Sequence, residues 1–270
     1  MRKFLTWLQL LFRDYATYKL FRLEDYGTPW LGMGSQGMDV LSDRYIFQGS
    51  DQDGKASLVV IDTKTKSILG EMLVPLEGCH MNNINIGRKY RRDDKFPMLY
   101  ISECKNKRRC YVMRLENDAN YYSLVQDIWF VSDSHYGKSQ NAFDWFVDGY
   151  YIYTFGMTGN EGEMEIIKFN LPTHLGMVKL TDKDIISSFT IQDCHVYQGS
   201  KVIGGKLYAP FGLGTDEYPT CLKIIDLDNG IVERSINIKG LGEIEAISKY
   251  EDGFIVVNNA INPTYTYLKI

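Results

Sequence analysis

The octapeptide Gly149-Tyr150-Tyr151-Ile152-Tyr153-Thr154-Phe155-Gly156 has a counterpart in Gly205-Lys206-Leu207-Tyr208-Ala209-Pro210-Phe211-Gly212. Both open on glycine, run through β-prone residues and close on Phe-Gly, as the same strand of a repeated unit would. The likeness extends outward. Cys79-His80, Leu99-Tyr100 and Cys110 recur in the same order as Cys194-His195, Leu207-Tyr208 and Cys221, the intervals differing mainly by an insertion at 88–94. A polar residue that ends a strand recurs as Asp62, Arg114, Asn170 and Asp226, at gaps of 52, 56 and 56 positions. That period fits one four-stranded propeller blade with long loops.

The rest of the chain can be laid out on this period. Short runs rich in Val, Ile, Tyr and Phe alternate with turn residues, for example at 45–47, 58–61, 98–101, 222–225 and 254–257. The expected blades are 35–74, 79–131, 141–191, 194–238 and 243–270. The last unit holds only three strands, at 245–250, 253–258 and 264–270, whereas the β-prone stretch 17–23 is otherwise unassigned. Pairing 17–23 with the last blade would close the ring and leave no open sheet edge. The expected fold is therefore all-β: a five-bladed β-propeller whose last blade is completed by an N-terminal strand. In domain terms, 1–34 supplies a helix and the ring-closing strand, and 35–270 the propeller on which they dock. The competing architecture is a β-sandwich in which the self-similarity is accidental.

Composition agrees with a folded core. Of 270 residues, 44% are hydrophobic, 13% aromatic and 24% charged, which excludes a disordered or collagen-like chain. The formal charge of -4 argues against a nucleic-acid partner, which calls for a basic surface. Five cysteines without a CxxC pair fit a reduced compartment, hence a cytoplasmic rather than a secreted location. Cys104 and Cys110 could face each other across a hairpin with its loop at 105–109, but free thiols are expected for all five. Near the N-terminus, Phe4, Trp7, Leu8, Leu11, Phe12 and Tyr15 recur at helical spacing, which predicts an amphipathic helix that docks on the protein. No apolar run is long enough to span a bilayer.

The blade pattern, with its Ile61-Asp62-Thr63 and Asp226-Leu227 turns, resembles the broad β-propeller superfamily that includes YVTN-type and lactonase-like propellers. The resemblance implies the fold from Ser35 onward and no particular activity. Lactonase-like members imply a calcium-dependent hydrolase built on channel-facing Glu, Asn and Asp. This chain offers Glu245, Asn82 or Asn83, and Asn141, but no clear aspartate in an equivalent place, and it has His80 and His195 where oxygen ligands are expected.

In a propeller, the loops leading into the innermost strands converge at one mouth of the central channel. Here those loops carry Gln36, His80, Asn82, Asn141, His195 and Glu245, the candidate ligand-binding residues. Neutral imidazole binds transition metals and transfers protons near neutral pH, so His80, His195 and Glu245 are a candidate divalent-metal centre. Without chemistry, the same side chains would hydrogen-bond neighbouring blades and hold the inner strands in register. Glu245 and Asp144 could in principle form a carboxylate pair for glycoside hydrolysis. The basic runs 88–92 and 105–109 are diluted by Asp93, Asp94 and Glu103 and read as solvated loops. The fragment 51–54 reads as a turn, and the aromatic runs 145–146 and 150–153 as packing between blades. No GxGxxG follows a strand and opens a helix, and neither a Walker-type loop nor a GxSxG elbow occurs. The leading functional expectation is a propeller that binds a small molecule, glycan or protein at the channel mouth. The alternative is a hydrolase or lyase acting on a carbohydrate or lactone in the same funnel.

Overall fold

The computed structural model describes residues 5, 10, 13–27, 34–52, 55–74, 79–104, 108–116, 119–136, 143–260 and 262–270. Their strands form five sheets. Blade 1 consists of β2 (Gly34–Leu41), β3 (Tyr45–Gln52), β4 (Lys55–Asp62) and β5 (Ser67–Val74). Blade 2 holds β6 (Ile84–Ile86), β7 (Leu99–Ser102), β8 (Arg109–Glu116) and β9 (Tyr121–Val131). Blade 3 holds β10 (Phe143–Asp148), β11 (Tyr151–Met157), β12 (Met164–Asn170) and β14 (Ile185–Ile191). Blade 4 holds β15 (Lys201–Ile203), β16 (Lys206–Phe211), β17 (Cys221–Asp226) and β18 (Val232–Asn237). Blade 5 is β19 (Ile244–Tyr250), β20 (Gly253–Asn258) and β21 (Thr264–Lys269), completed by β1 (Ala16–Arg22), which pairs antiparallel with β21. The innermost strands β2, β6, β10, β15 and β19 adjoin one another in sequence, and β19 returns to β2. The expected ring and its N-terminal closure are thus observed.

Five apolar cores lie between the blades, one at each seam. Strand side chains alternate in direction, so neighbouring residues of one strand serve different seams. Ile46 packs toward blade 5 and Phe47 toward blade 2. Trp145 packs toward blade 2 and Phe146 toward blade 4. A strand buried on both faces reads as a continuous apolar run, which is why Leu58-Val59-Val60-Ile61 shows no polar alternation. Two of the four recurrent polar residues end a strand and cap a turn: Asp62 Oδ1 accepts the Lys64 amide at 2.9 Å, and Asp226 Oδ1 accepts that of Asp228 at 2.8 Å, whereas Arg114 lies within β8 and pairs with Asp94. Arg44 also holds Asp62 in a two-pronged ion pair, which keeps the Asp62 carboxyl well below the usual range.

Some expectations are corrected. The third unit, expected as a plain blade over 141–191, is interrupted by β13 (Gly176–Thr181). This strand leaves blade 3, pairs in parallel with β9 as a fifth strand of blade 2, and is followed by β14 back in blade 3. Cys110 pairs with Ser102, not Cys104, whose bridge partner is Cys79; all five cysteines are free. Arg109 is not a loop residue: it lies in β8 and forms an ion pair with Asp127. Tyr150, expected between blades, is 73% exposed. Of the expected amphipathic helix, Phe4, Trp7, Leu8, Leu11 and Phe12 lie outside the described residues; Tyr15, expected on the same stripe, is not helical and is buried in the core between blades 4 and 5. Among the described residues no helix is long and apolar enough to cross a membrane.

Candidate functional site

The innermost strands begin on one face of the ring, and each brings a polar side chain there. Gln36 lies in β2, Asn82 just before β6, Asp144 in β10, Gln198 just before β15 and Glu245 in β19; all five are buried. The axis beneath them is tightly closed. A Cβ on Gly199 would stand 2.5 Å from the Asn82 carbonyl oxygen, and one on Gly37 would stand 2.6 Å from that of Met81. Glycine is required where backbones approach this closely.

The polar groups bond mostly across seams. Asn82 Nδ2 donates to Asp144 Oδ2 at 2.6 Å, tying blade 2 to blade 3. His80 Nδ1 lies 2.7 Å from Asp51 Oδ2 of blade 1. Gln198 Nε2 donates to Glu243 Oε1 at 2.8 Å, beside blade 5, and the Ser35 hydroxyl donates to the Asn258 carbonyl at 2.6 Å. The expected alternative role, inter-blade hydrogen bonding, is what His80 and Asn82 perform. Two carboxyl groups are perturbed. Burial pushes Asp144 up to about 7, against hydrogen bonding from Asn82, Ser102 and Tyr197. Burial, and then the charge of Glu243, pushes Glu245 up to about 8. Glu245 is therefore a largely neutral carboxylic acid at pH 7.

The metal centre expected from His80, His195 and Glu245 is not assembled. Among the described residues no three His, Cys, Asp or Glu side chains converge on a point that could hold a metal ion. His80 turns to Asp51, and Glu245 stands beside Glu243. His195 is exposed on the rim, its ring near Gly162 and 6.3 Å from that of Tyr218. Asn141 lies outside the described residues. Contrary to expectation an innermost strand does carry an aspartate, Asp144, and its signal was in the sequence: a charge flanked by Phe143, Trp145 and Phe146. Asp39, which meets Lys201 across the ring, had no such signal.

The same face holds a hollow of about 320 Å³ in blade 4, lined in part by Asp193, His195, Phe211, Glu217, Tyr218 and Lys223. Asp193, His195 and Glu217 are exposed, and the His195 imidazole takes no hydrogen bond among the described residues. Lys223 Nζ donates to the Gln192 carbonyl at 3.2 Å and stays buried at the base.

This architecture defines the class: a five-bladed β-propeller. No family model matches the chain, and no curated protein matches it. Among solved structures, the tail fiber of Staphylococcus aureus phage P68 is similar at a TM-score of 0.57 and 11% identity, over 94% of this chain and 52% of that one. The WD40 β-propeller domain of Doa1 matches at a TM-score of 0.42 and 11% identity, over 84% of this chain and 61% of that one. The chain thus spans between half and two thirds of those chains. At such identity the tail-fiber likeness concerns the fold alone.

Proposed function

We propose that the chain is a binding propeller that seats a glycan, small polar ligand or protein loop on the face where its innermost strands begin, in the hollow at His195. The supporting observation is the contrast on that face between engaged and available groups. Asn82, Asp144, Gln198 and His80 are engaged with neighbouring blades, whereas His195 stands exposed beside Tyr218 in a concavity of ligand size. The imidazole and the Tyr218 phenol suit hydroxyl-rich or amide partners, and Asp193 and Glu217 at the rim disfavour anionic ones.

The test is a glycan and peptide array probed with labelled protein, followed by His195→Ala and Tyr218→Ala. Each variant should lose at least tenfold in affinity for the strongest hit while keeping its melting temperature within about 2 °C, since surface changes move stability little. Turnover of any array compound that is abolished by Asp144→Asn or Glu245→Gln would refute the binding reading in favour of catalysis.

A further inference from the structure

A second concavity lies on the opposite face, at the seam between blades 2 and 3. It measures about 300 Å³ and is lined in part by Arg88, Lys89, Tyr90, Tyr150, Leu171 and Pro172. The path of β13 creates it: leaving β12, the chain crosses from blade 3 to blade 2 over residues 171–175, and this crossing forms one wall. The wall is fixed in place. The Leu171 amide donates to the Tyr150 carbonyl at 2.8 Å, and Gln126 Nε2 donates to the carbonyls of Pro172 and His174 at 3.2 and 2.5 Å.

The opposite wall is aromatic and cationic. The Arg88 guanidinium lies 4.3 Å from the centre of the Tyr150 ring, and Nη2 donates to the Gly149 carbonyl at 3.3 Å. Its remaining N–H groups take no partner among the described residues, nor does the Lys89 ammonium. Arg88, Lys89, Tyr90, Arg91 and Arg92 are all exposed. Of the three acids that dilute this run in the sequence, two are withdrawn from it in space. Asp94 is buried under Arg114, and Glu103 is buried in the ring. Asp93 remains exposed and Asp148 half-buried on the adjoining turns. In a chain of net charge -4, two cations, Arg88 and Lys89, thus line this cleft together with Tyr90 and Tyr150, and Arg91 lies beside the Tyr90 ring.

We propose that this cleft binds an acidic saccharide, a sugar ring bearing a carboxylate. A guanidinium seated over a ring, with N–H groups to spare beyond its bond to Gly149, can grip a carboxylate with two parallel hydrogen bonds. The exposed Tyr150 ring, which Arg88 approaches, also offers aromatic surface to the C–H edges of a pyranose, beside the Tyr90 ring that Arg91 and Arg114 approach. The volume suits one or two rings. A long polyanion is disfavoured by the overall negative charge.

The test is calorimetric titration of the full chain, at low salt, with digalacturonic acid, neutral cellobiose and uridine monophosphate. Digalacturonic acid should bind at a single saturable site at least tenfold more tightly than either comparator. Arg88→Ala should weaken it at least tenfold and Tyr150→Ala at least threefold, with circular dichroism unchanged because both side chains are exposed. His195→Ala should leave this affinity unchanged, which separates the cleft from the hollow on the other face. Absence of saturation in the millimolar range, or full affinity in Arg88→Ala, would overturn the site. Tighter binding of the nucleotide would overturn the saccharide assignment.

Discussion

Asp39 shows how much one side chain can hold together in this fold. It is fully buried in β2 of blade 1. Its Oδ1 accepts the Val40 amide at 2.8 Å and the Ser248 hydroxyl of blade 5 at 2.6 Å. Its Oδ2 accepts the Ile86 amide of blade 2 at 2.7 Å and the Lys201 ammonium of blade 4. Four blades therefore meet at one carboxylate. Asp39→Ala leaves a mostly buried ammonium uncompensated and should cost about 3–5 kcal/mol in chemical denaturation, part of which Lys201→Met in the same background should restore. Asp144 and Glu245 set a pH dependence of definite sign. Each binds its proton more tightly folded than unfolded, where carboxyl groups titrate near 4. Their contribution is complete below that value and is lost as pH rises through about 7 for Asp144 and about 8 for Glu245. The melting temperature should thus fall between about pH 5 and pH 8, and the double variant Asp144→Asn, Glu245→Gln should flatten that slope. A slope that survives in the double variant would show that other groups control it.

At the scale of elements, the ring depends on β1 and on close contact between inner strands. β1 covers the free edge of β21, and its Phe21 joins the core between blades 5 and 1, stacked on Tyr265 with ring centres 4.5 Å apart. Deleting residues 1–22 exposes that edge and opens the seam, so the truncated chain should lose cooperative unfolding and form aggregates by light scattering. Gly199 lies where blade 4 passes blade 2, and its amide donates to the Glu245 carbonyl at 2.9 Å. Gly199→Ala forces these backbones apart and should destabilise by about 1–3 kcal/mol in urea titration. Strand β13 was not legible beforehand. Residues 176–181 and 185–191 carry the same β-prone texture, and nothing in either says which blade it joins. In the structure Val178 and Leu180 of β13 pack into the core between blades 2 and 3, against which Ile185 of β14 also packs.

At the scale of the whole molecule, every blade supplies both of its faces to apolar seams. Removing one blade would expose two seams at once, which couples the blades energetically. Far-UV circular dichroism and tryptophan fluorescence, to which Trp145 at the seam of blades 2 and 3 contributes, should therefore show a single coincident transition. Separate midpoints would mean that parts of the ring unfold independently. The two proposed sites lie on opposite faces of this one ring. Each is built from loops whose length varies from blade to blade, while the strands beneath them repeat.

The amino-acid sequence by itself determined the number of blades, their approximate limits and the completion of the last one by residues near the N-terminus. These follow from local causes: alternating apolar side chains, turn-capping polar residues such as Asp62 and Asp226, and a repeat that stops one strand short. Only the tertiary structure decided which polar groups meet. His80 faces Asp51 rather than His195, Asn82 finds Asp144, and Asp39 finds Lys201 across the ring. The physical reason is that such partnerships depend on how closely and at what angle the blades pack around the axis. That packing is set by the summed fit of five apolar seams, and no local stretch of sequence encodes it.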